Sequence, residues 1–490
     1  MYKNSIKFPY ESDRQRIHNY EVYQKLLEAK HFEAFSIEAE NSFNARYNKL
    51  RYIVANINGL VAKVSADMLF GEDIVIDSNN NQSFIDALVY ENALPVQLWE
   101  SAVSGSALGD IVFKVRVEDN EIKIENIDPS IYFPEINTKN PRITPETQEL
   151  AWIEIHKVDG DEKRFLIREI HKAGSVEIKI NVVAGGDNYI GNEVDVLAYN
   201  NTYGTNYVPF TETNIDMPLL VHIKNMSYAG NKEFFGNSDF EDMITLQFEL
   251  NNRLTKMANI LDKHSDPILA VPDGVLDEQG RVRKEALQMI ELGEDGQVPQ
   301  YIVWNASLDN AFKEVDKMLE MLFMVTEISP DVLGLGTGRA ESGRALKMRL
   351  IRTIAKVKRK QRYYTDGLKT IFEICQKLSA NNSGVGITYN GEKITVSEVE
   401  SVNIKFSDGI VNDAVEETDL TIKKIDAGLM SKQNGIMLLE GMTEEEANEE
   451  LLKIKADQGT FTSIIDTLDT RGGMYDNLQQ DSEDLDQVVQ

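Results

Sequence analysis

Two long amphipathic segments that flank a region rich in glycine and proline constrain the fold of this chain most strongly. Residues 236–263 repeat apolar side chains at intervals of three and four, which predicts one long helix with an apolar face and an opposite polar face. Ser238 can cap the first turn, and Asp239 suits the positive end of the helix dipole. Residues 307–328 repeat the pattern, and Pro330 ends it. The sequence therefore predicts a stalk made of two helices.

The apolar residues of these two helices form a surface that the pair cannot bury by itself. Two helices around a small insert leave apolar sides uncovered, and neighbouring copies of the chain would cover them. A head-to-tail contact that is repeated by rotation closes into a ring. Packing inside one globular core is the alternative interpretation of the same spacing. The residues expected at the subunit contact are Phe240, Met243, Leu250, Leu254, Met257, Leu261, Leu319 and Leu322.

The chain between and after the two helices is not helical throughout. The insert contains Pro267, Pro272 and several glycines, together with ILAV at 268–271 and YIVW at 301–304, which predict two short strands. Residues 331–343, DVLGLGTGRAESG, are again rich in glycine and predict a flexible loop.

A strongly basic helix is predicted after this loop, from about Arg344 to Leu378. Arg and Lys recur from Arg344 to Arg362 without one acidic residue, although the chain holds 80 Asp and Glu against 51 Lys and Arg and has a net charge of −29. A solvated helix face opposite an acidic partner subunit is the simplest explanation of this local inversion of charge.

The N-terminal half predicts an α+β domain with antiparallel strands. Apolar residues at helical spacing predict helices at 17–34, 50–69 and 83–105. Alternating apolar residues between turn-forming Gly, Asp, Asn and Pro predict strands at 111–117, 121–126, 149–156, 163–171 and 176–183.

The C-terminal part predicts short strands followed by helices. The strands are expected at 387–396 and 402–406, and the helices at 413–427, 431–439 and 443–457. Thr443 and Glu446 have the spacing of a capping box. Beyond Gly459 the sequence becomes polar and acidic, which is typical of a flexible tail.

The order of these parts resembles the portal proteins of tailed bacteriophages. The resemblance rests on MPLLVHIKN at 217–225, on the Gly-x-Ser-Asp-Phe sequence at 236–240, and on SGRALKMRL at 342–350. The insert, the second long helix, the glycine-rich loop and an acidic helical C-terminal part complete it. It covers nearly the whole chain and depends on order and spacing, since portal proteins share an architecture rather than a set of invariant residues.

The resemblance implies the portal fold, an α+β chain with an α/β wing, a two-helix stem, a small β-containing clip and an α-helical crown, assembled as a ring. Its parts would be the wing at 1–235 and 344–411, the stem helices at 236–264 and 307–329, the clip at 265–306, the tunnel loop at 330–343, the crown at 412–460 and an acidic tail at 461–490. In that family the long helix braces the wing, so Arg349, Lys356 and Arg359 would pair with the acidic wing or crown of the next subunit. Only residues near Arg344 would approach DNA.

The resemblance also implies a ring of twelve subunits at one capsid vertex of the virion, assembled in the cytoplasm of the host cell. Double-stranded DNA would pass through its channel during packaging and ejection. The terminase large subunit, and later the head completion and tail adaptor proteins, would dock at clip residues Arg283, Glu291 and Asp295. Major capsid and scaffolding proteins are further expected partners. The channel loop would include Gly334, Gly336, Gly338, Arg339, Glu341, Gly343 and Arg344.

A nucleotide-driven DNA-processing enzyme is the alternative function. Gly338 and Gly343 have the spacing of a phosphate-binding P-loop. However, Arg344 stands where the phosphate-binding Lys belongs, and Ala345 stands where the magnesium-binding Ser or Thr belongs. The segment also follows a predicted helix rather than a strand. The sequence therefore favours a protein without enzymatic activity.

No cofactor, metal or membrane is expected either. The His residues lack the spacing of a zinc site, and His156, His171 and His222 are expected at strand surfaces or edges. Cys375, the only cysteine, is expected to be a small buried apolar residue. The N-terminus lacks the apolar core of a signal peptide, and no run of 18 apolar residues occurs. The acidic composition argues against groove binding of DNA and suits a channel wall that holds DNA weakly.

Overall fold

The computed structural model describes residues 6–35, 52–158, 160–186, 188–228, 234–265, 268–270, 300–302, 309–333, 335, 343–406, 414–442 and 446–456. Its helices are α1 (Arg14–Leu27), α2 (His31–Ala34), α3 (Ile57–Phe70), α4 (Gln82–Glu91), α5 (Leu94–Leu108), α6 (Val196–Tyr203), α7 (Ile244–Ser265), α8 (Asp309–Val325), α9 (Gly343–Arg349), α10 (Ile351–Asn381), α11 (Ala414–Asp426) and α12 (Lys432–Glu440). Its strands are β1 (Val75–Asp77), β2 (Asp110–Glu118), β3 (Glu121–Ile127), β4 (Tyr132–Pro134), β5 (Thr147–Val158), β6 (Asp161–Lys172), β7 (Ser175–Ala184), β8 (Tyr189–Val194), β9 (Phe210–Glu212), β10 (Leu220–Lys224), β11 (Ile268–Ala270), β12 (Gln300–Ile302), β13 (Ile387–Tyr389), β14 (Glu392–Ile394) and β15 (Asn403–Lys405). The chain is a mixture of helix and sheet, as the sequence predicts.

The largest sheet is antiparallel and has six strands, in the order β4-β5-β6-β7-β8 with β9 paired to the start of β7. Two tight hairpins, from β5 to β6 and from β6 to β7, fix its register. Gly160 and Gly174 turn these hairpins with φ of 92° and 81°, a left-handed region that glycine adopts without steric cost. The strands predicted at 149–156, 163–171 and 176–183 are confirmed, and each extends further at both ends.

A second sheet has three strands in the order β10-β2-β3, and α10 packs against it. The strands predicted at 111–117 and 121–126 are confirmed as β2 and β3, joined by a turn at 119–120 with positive φ at both residues. A Cβ on Gly367 of α10 would lie 2.3 Å from the side chain of Ile223 on β10. Glycine at this position therefore allows α10 to lie directly on the sheet.

Two predicted helices of the N-terminal half are each split in two. Ala29, with φ of 61°, separates α1 from α2 inside the helix predicted at 17–34. Ala93, with φ of 46°, separates α4 from α5 inside the helix predicted at 83–105. Both breaks place a residue in the left-handed region, which a continuing α-helix cannot contain. Neither alanine signals such a break in the sequence.

Helix α10 supplies much of the main core. It is 31 residues long and buries Tyr364, Leu368, Phe372 and Cys375 on one side. Cys375 is fully buried, as predicted, and burial raises the pKa of its thiol. The basic helix predicted at 344–378 is thus present, although it forms as α9 and α10, which meet at Leu350.

The short strands predicted in the second half of the chain also form. β11 pairs with β12, β13 with β14 in a hairpin, and β15 with β1, all antiparallel. The last of these pairs joins parts of the chain that are far apart in sequence. Within the described ranges, no helix is long and apolar enough to cross a membrane.

The described residues among 340–346 and 411–490 belong to a second unit of the chain. Within it α11 and α12 pack together, and residues 446–456 are helical. Ser431 caps α12, since its hydroxyl accepts a hydrogen bond of 3.1 Å from a backbone amide of the first turn. These helices agree with the predictions for this part, while Thr443 of the predicted capping box lies outside the described residues.

Candidate functional site

The first long helix, α7, begins later than its sequence predicts. It starts at Ile244, and residues 239–243 form turns. The Ser238 hydroxyl accepts a hydrogen bond of 2.9 Å from Phe240 N and donates one to the Ala107 carbonyl. Ser238 therefore caps a turn rather than the helix, because its side chain is buried and held by the core.

The second long helix, α8, lies within the predicted range 307–328 and packs against α7. Arg253 Nε of α7 lies 3.1 Å from Glu314 Oε1 of α8. Both side chains are partly exposed, so this ion pair contributes little to stability. Glu327, with φ of 57°, turns the chain away soon after α8 ends at Val325. We call α7 and α8 the helix pair.

The chain itself covers most of the residues predicted at the subunit contact. Five of them belong to the main hydrophobic core: Phe240, Met243, Leu250, Met257 and Leu322. Three keep some exposed surface: Leu254 and Leu319 in part, and Leu261 at 47%. The first five are therefore core residues of the single chain, as the alternative interpretation of the spacing holds. Only the other three leave surface for a neighbouring copy.

One row of polar residues on α7 is buried rather than solvated. Gln247, Asn251 and Thr255 recur every four residues, and each is at most 1% exposed. Their side chains bind the backbone of an extended segment that precedes α3. Ile53 N donates to Thr255 Oγ1 at 3.0 Å, and Ala55 N donates to Asn251 Oδ1 at 3.1 Å. Gln247 Nε2 donates to the Ala55 carbonyl at 2.7 Å.

These contacts explain why the helix predicted at 50–69 begins only at Ile57. The amides of Ile53 and Ala55 bond to side chains of α7 and cannot join a helical ladder at the same time. Asn56 then caps α3, because its Oδ1 accepts a hydrogen bond of 2.9 Å from the Gly59 amide. An asparagine immediately before an apolar run is a signal that could have placed this boundary correctly.

His31 extends the buried polar network away from α7. Asn251 Nδ2 lies 2.9 Å from His31 Nδ1 and donates to it, which places the ring proton on Nε2. That proton is directed at the Leu26 carbonyl, 3.1 Å away, with Asn56 Oδ1 at 3.2 Å. Burial lowers the pKa of His31, so the ring is neutral at pH 7.

A buried group of charges joins the turn before α7 to α10. Lys356 Nζ lies 3.0 Å from Asp239 Oδ1, and Lys360 Nζ and the Ser106 hydroxyl both donate to Oδ2. Burial alone would raise the pKa of Asp239, but the two ammonium groups hold it well below its usual range. Burial lowers the pKa of Lys360 to about 8, opposed by Asp239 and assisted by Lys356. We call Asp239, Lys356 and Lys360 the charge cluster.

The C-terminal end of α8 is anchored to the same helix. Lys356 Nζ also donates to the Thr326 carbonyl at 2.8 Å. Arg359 Nη2 lies 2.6 Å from Glu327 Oε2, and the Thr353 hydroxyl donates to the Glu327 carbonyl at 3.0 Å. Helix α10 therefore holds both the turn before α7 and the residues after α8.

The basic residues of α9 and α10 differ from the prediction in their partners. The sequence predicts that Arg349, Lys356 and Arg359 pair with the next subunit, but each has an acidic partner in its own chain. These partners are Asp331, at 3.4 Å from Arg349, Asp239 for Lys356, and Glu327 for Arg359. The prediction is wrong for Lys356, which is buried inside its own chain, and contact with the next subunit stays a prediction for the exposed Arg349 and Arg359.

The predicted channel and docking residues lie mostly outside the described residues. This applies to Gly334, Gly336, Gly338, Arg339, Glu341, Arg283, Glu291 and Asp295. Gly343 opens α9 and Arg344 follows it in the same helix. The P-loop-like spacing from Gly338 also falls largely outside. In the part of the chain that the structure describes, no group of three or more His, Cys, Asp or Glu could hold a metal ion.

His171 is buried, not at a strand surface as predicted. Its Nε2 lies 3.0 Å from Glu169 Oε1, and Lys114 Nζ reaches the same carboxylate at 2.7 Å. Burial alone would raise the pKa of Glu169, but His171 and Lys114 lower it to about 2. Burial also lowers the pKa of His171.

His222 is largely buried as well, whereas His156 keeps some exposed surface. Nε2 of His222 donates to Asp110 Oδ1 at 2.7 Å, and the His222 ring stacks on Tyr132 and Phe234. Both buried histidines thus have carboxylate partners inside the fold. Alternation along a strand does not reveal this burial, because residues on the polar face of one sheet can be covered by another element.

Several solved structures contain chains similar to this one. One similar chain is from the neck of an empty gene transfer agent particle computed with C6 symmetry, with 12% identity, a TM-score of 0.42, and coverage of 79% of this chain and 91% of that chain. A second is from the virion of a native gene transfer agent particle, with 13% identity, a TM-score of 0.40, and coverage of 78% and 89%. A third is from the neck of a native particle computed with C12 symmetry, with 14% identity, a TM-score of 0.38, and coverage of 78% and 87%. No curated protein matches the chain.

The family comparison covers nearly the whole sequence. The model described as phage portal protein, SPP1 Gp6-like, matches residues 7–460. This range contains the helix pair, the charge cluster and α10, together with the motifs at 217–225, 236–240 and 342–350. The chain therefore belongs to the SPP1 Gp6-like family of phage portal proteins.

Proposed function

We propose that copies of this chain form a ring of twelve subunits at one capsid vertex of a phage or prophage, and that double-stranded DNA passes through the ring during packaging and ejection. The observation that carries this proposal is the match to the portal family over residues 7–460. Portal proteins are structural components of the virion, so the chain is a portal protein and not an enzyme, as the sequence predicts.

The exposed apolar residues of the helix pair support an assembly of several copies. Phe312 and Met321 are each 50% exposed and Met324 is 75% exposed, all three on α8. Leu261 adds exposed apolar surface on α7. Apolar surface of this kind is unfavourable in water and would be covered by a neighbouring copy in a ring. The subunit contact thus involves Leu254, Leu261 and Leu319 with these exposed residues, rather than the five buried ones.

The proposed parts of the portal keep their predicted boundaries. The helix pair forms the stem, residues 1–235 and 344–411 the wing, 265–306 the clip and 412–460 the crown. The charge cluster and the contacts of Glu327 with α10 support this division, because they fix the residues before α7 and the residues after α8 to one long helix. A stem that is anchored in this way can transmit force between a clip and a wing.

The channel loop is the proposed narrowest part of the ring. It would contain Gly334, Gly336, Gly338, Arg339 and Glu341, and it would end at Gly343 and Arg344, the first two residues of α9. Its ends support this role, since the turn at Pro330–Leu333 precedes it and α9 follows it. A glycine-rich segment between two ordered elements can change conformation at small cost as DNA advances.

The proposed partners outside the ring follow from the same assignment. The terminase large subunit would dock at the clip through Arg283, Glu291 and Asp295, and head completion and tail adaptor proteins would bind there later. Major capsid and scaffolding proteins would surround the wing. The virion is the final location, and assembly would take place in the cytoplasm of the host cell.

Mass measurement and imaging of the purified full chain test the ring directly. Twelve copies of 55.4 kDa give a particle of about 665 kDa by mass photometry, and negative-stain images should show a perforated ring. A single copy of 55.4 kDa at micromolar concentration would contradict the assembly. An ATPase assay of the same sample tests the alternative enzyme, and we expect no turnover above background.

A further inference from the structure

One face of α10 carries exposed cations that have no acidic partner. Arg352, Lys358, Arg362 and Lys369 are all exposed and form no ion pair within the described ranges. Lys358, Arg362 and Lys369 lie on the side of the helix opposite its buried residues, and Arg352 lies at the edge of that side. The four residues span about 26 Å along the axis, at 1.5 Å per residue. We call these four residues the basic face of α10.

The other cations near the middle of α10 have acidic partners in the same chain. Lys356 and Lys360, on the buried side, share Asp239, and the partly exposed Arg359 pairs with Glu327. The basic face is therefore a separate feature, with a different exposure from the charge cluster. Four exposed cations on one face are unusual in a chain whose net charge is −29.

We propose that the basic face binds the acidic surface of an adjacent copy of this chain, an inference that rests on the ring proposed above. Every copy carries the same excess of carboxylates, so an adjacent copy offers the complementary charge. Exposed carboxylates without an ion pair in the described residues include Asp242, Asp309 and Asp316. A head-to-tail ring brings two different faces of one chain together, which allows a basic face to meet an acidic one.

The residues next to the basic face favour a protein partner over nucleic acid. Ile351 and Met348 are 62% and 68% exposed at the N-terminal end of the same helical region. Asp366 is also exposed and lies between Arg362 and Lys369. Arg and Met are enriched in protein interfaces, whereas a carboxylate inside the face would repel phosphates. The mixture of cation, apolar residue and acid therefore fits another copy of the chain better than DNA.

Charge pairing of this kind makes ring stability depend on salt. Screening acts over about 10 Å at 0.1 M salt and about 3 Å at 1 M, so ion pairs at the rim of an interface weaken as salt increases. We expect the fraction of chain in rings to fall as sodium chloride rises from 0.05 to 1 M. Loss of the basic face should lower the ring fraction at low salt and make it depend less on salt.

The test reverses three charges on the basic face and three elsewhere. The test variant carries Arg352→Glu, Lys358→Glu and Arg362→Glu. The control variant changes net charge equally at exposed lysines outside α10, and it carries Lys139→Glu, Lys163→Glu and Lys172→Glu. Mass photometry of both full-length variants and the wild type across the salt range gives the ring fraction. Circular dichroism and thermal unfolding check that each variant folds.

The test variant should lose at least roughly tenfold in ring population at 0.15 M salt, and the control should keep wild-type rings. A test variant that folds and forms rings over the same salt range as the wild type overturns this inference alone. If the wild type forms no ring, the proposed function fails as well. If the test variant does not fold, the neutral set Arg352→Gln, Lys358→Gln and Arg362→Gln replaces it, and an unchanged salt midpoint then rejects the inference.

Duplex DNA is the competing partner, and fluorescence anisotropy with a labelled duplex measures it. At equal ring concentration, rings of the wild type and the remaining rings of the test variant should bind this duplex equally well. Loss of salt-sensitive duplex binding in a test variant that still forms normal rings would assign the basic face to DNA and overturn the subunit contact.

Discussion

Lys360 of α10 donates a hydrogen bond to Asp239, a residue 121 positions earlier in the chain, and both side chains are fully buried. Lys356 shares the same carboxylate at 3.0 Å. Two cations against one anion leave the cluster with an excess positive charge away from water. The arrangement is stable only while the carboxylate stays ionised. The charge of Asp239 therefore stabilises the contact between the helix pair and α10.

Asp239→Asn should therefore destabilise the fold strongly. The substitution keeps the shape but removes the negative charge, which leaves two buried ammonium groups without compensation. Removing one partner of a buried ion pair costs about 3–5 kcal/mol. Urea unfolding of the full chain, followed by circular dichroism at fixed protein concentration, measures the change in unfolding free energy. Asp366→Asn, at an exposed position on α10, is the matched control and should change it by less than about 0.5 kcal/mol. Equal midpoints for the two variants would show that the cluster is not important for stability.

The strands were easier to predict from sequence than the ends of the helices. Alternation and tight turns are local signals, and they located β2, β3, β5, β6 and β7 correctly. The start of α7 was predicted too early, because Ser238 and Asp239 look like a helix start but bond to Ala107 and to α10. A local pattern cannot show that a potential capping side chain will instead bond to a residue that is distant in sequence.

The side chains that pair with the basic residues of α10 are the least predictable part of the candidate site. The sequence identified the basic helix as unusual, but it did not show which cations would be buried against Asp239 and which would stay exposed. Placed on an ideal helix, the basic residues occur on both sides of α10, so the sequence does not show which of them face inward. Only the packing of α10 on β10, which Gly367 permits, decides that Lys356 and Lys360 face inward.

Acid should weaken the fold through Glu169. Its pKa is about 2 in the fold, below the usual 4.5 of a glutamate, so the unfolded chain binds more protons between these two pH values. Stability from this group is thus complete above about pH 5 and falls as pH drops, by about 2 kcal/mol at pH 3. Urea unfolding at pH 7 and pH 3 should show a smaller acid loss in Glu169→Gln than in the wild type. Glu193→Gln, at an exposed strand position, should keep the wild-type loss. An identical pH response in all three proteins would contradict the assigned role of Glu169.

The buried polar row of α7 should hold the segment before α3. Asn251→Leu removes the acceptor of the Ala55 amide and the donor to His31, and each unsatisfied buried group costs about 1–3 kcal/mol. Hydrogen exchange measured by mass spectrometry should become faster for the peptide that contains residues 52–56. Glu249→Gln, on the exposed side of the same helix, serves as the control and should leave this exchange unchanged. Unaltered protection in Asn251→Leu would mean that other contacts hold the segment.

Two leucines of α7 should separate folding from assembly. Leu250 is fully buried in the core, so Leu250→Asp places a charge in an apolar site and should prevent folding at a cost of several kcal/mol. Leu261 is exposed, so Leu261→Asp should keep the fold within about 0.5 kcal/mol and reduce ring formation. Thermal unfolding and mass photometry of both variants give the two readouts. Normal rings from Leu261→Asp would show that Leu261 is not part of the subunit contact. A folded monomer from Leu250→Asp would show that Leu250 lies at the subunit contact, as the sequence predicts.

The glycine-rich loop should affect DNA passage without affecting assembly. Gly336 and Gly338 lie between the turn at Pro330–Leu333 and α9, and Arg339 and Arg344 are the only cations of the loop. Valine at both glycines restricts the backbone, because β-branched side chains disfavour positive φ. Gly336→Val/Gly338→Val should form rings of normal mass but package DNA more slowly in a system that contains capsid, scaffolding protein and terminase. Leu335→Ala, in the same loop, is the control and should package at the wild-type rate. Wild-type packaging by the double variant would show that the flexibility of this loop does not matter for translocation.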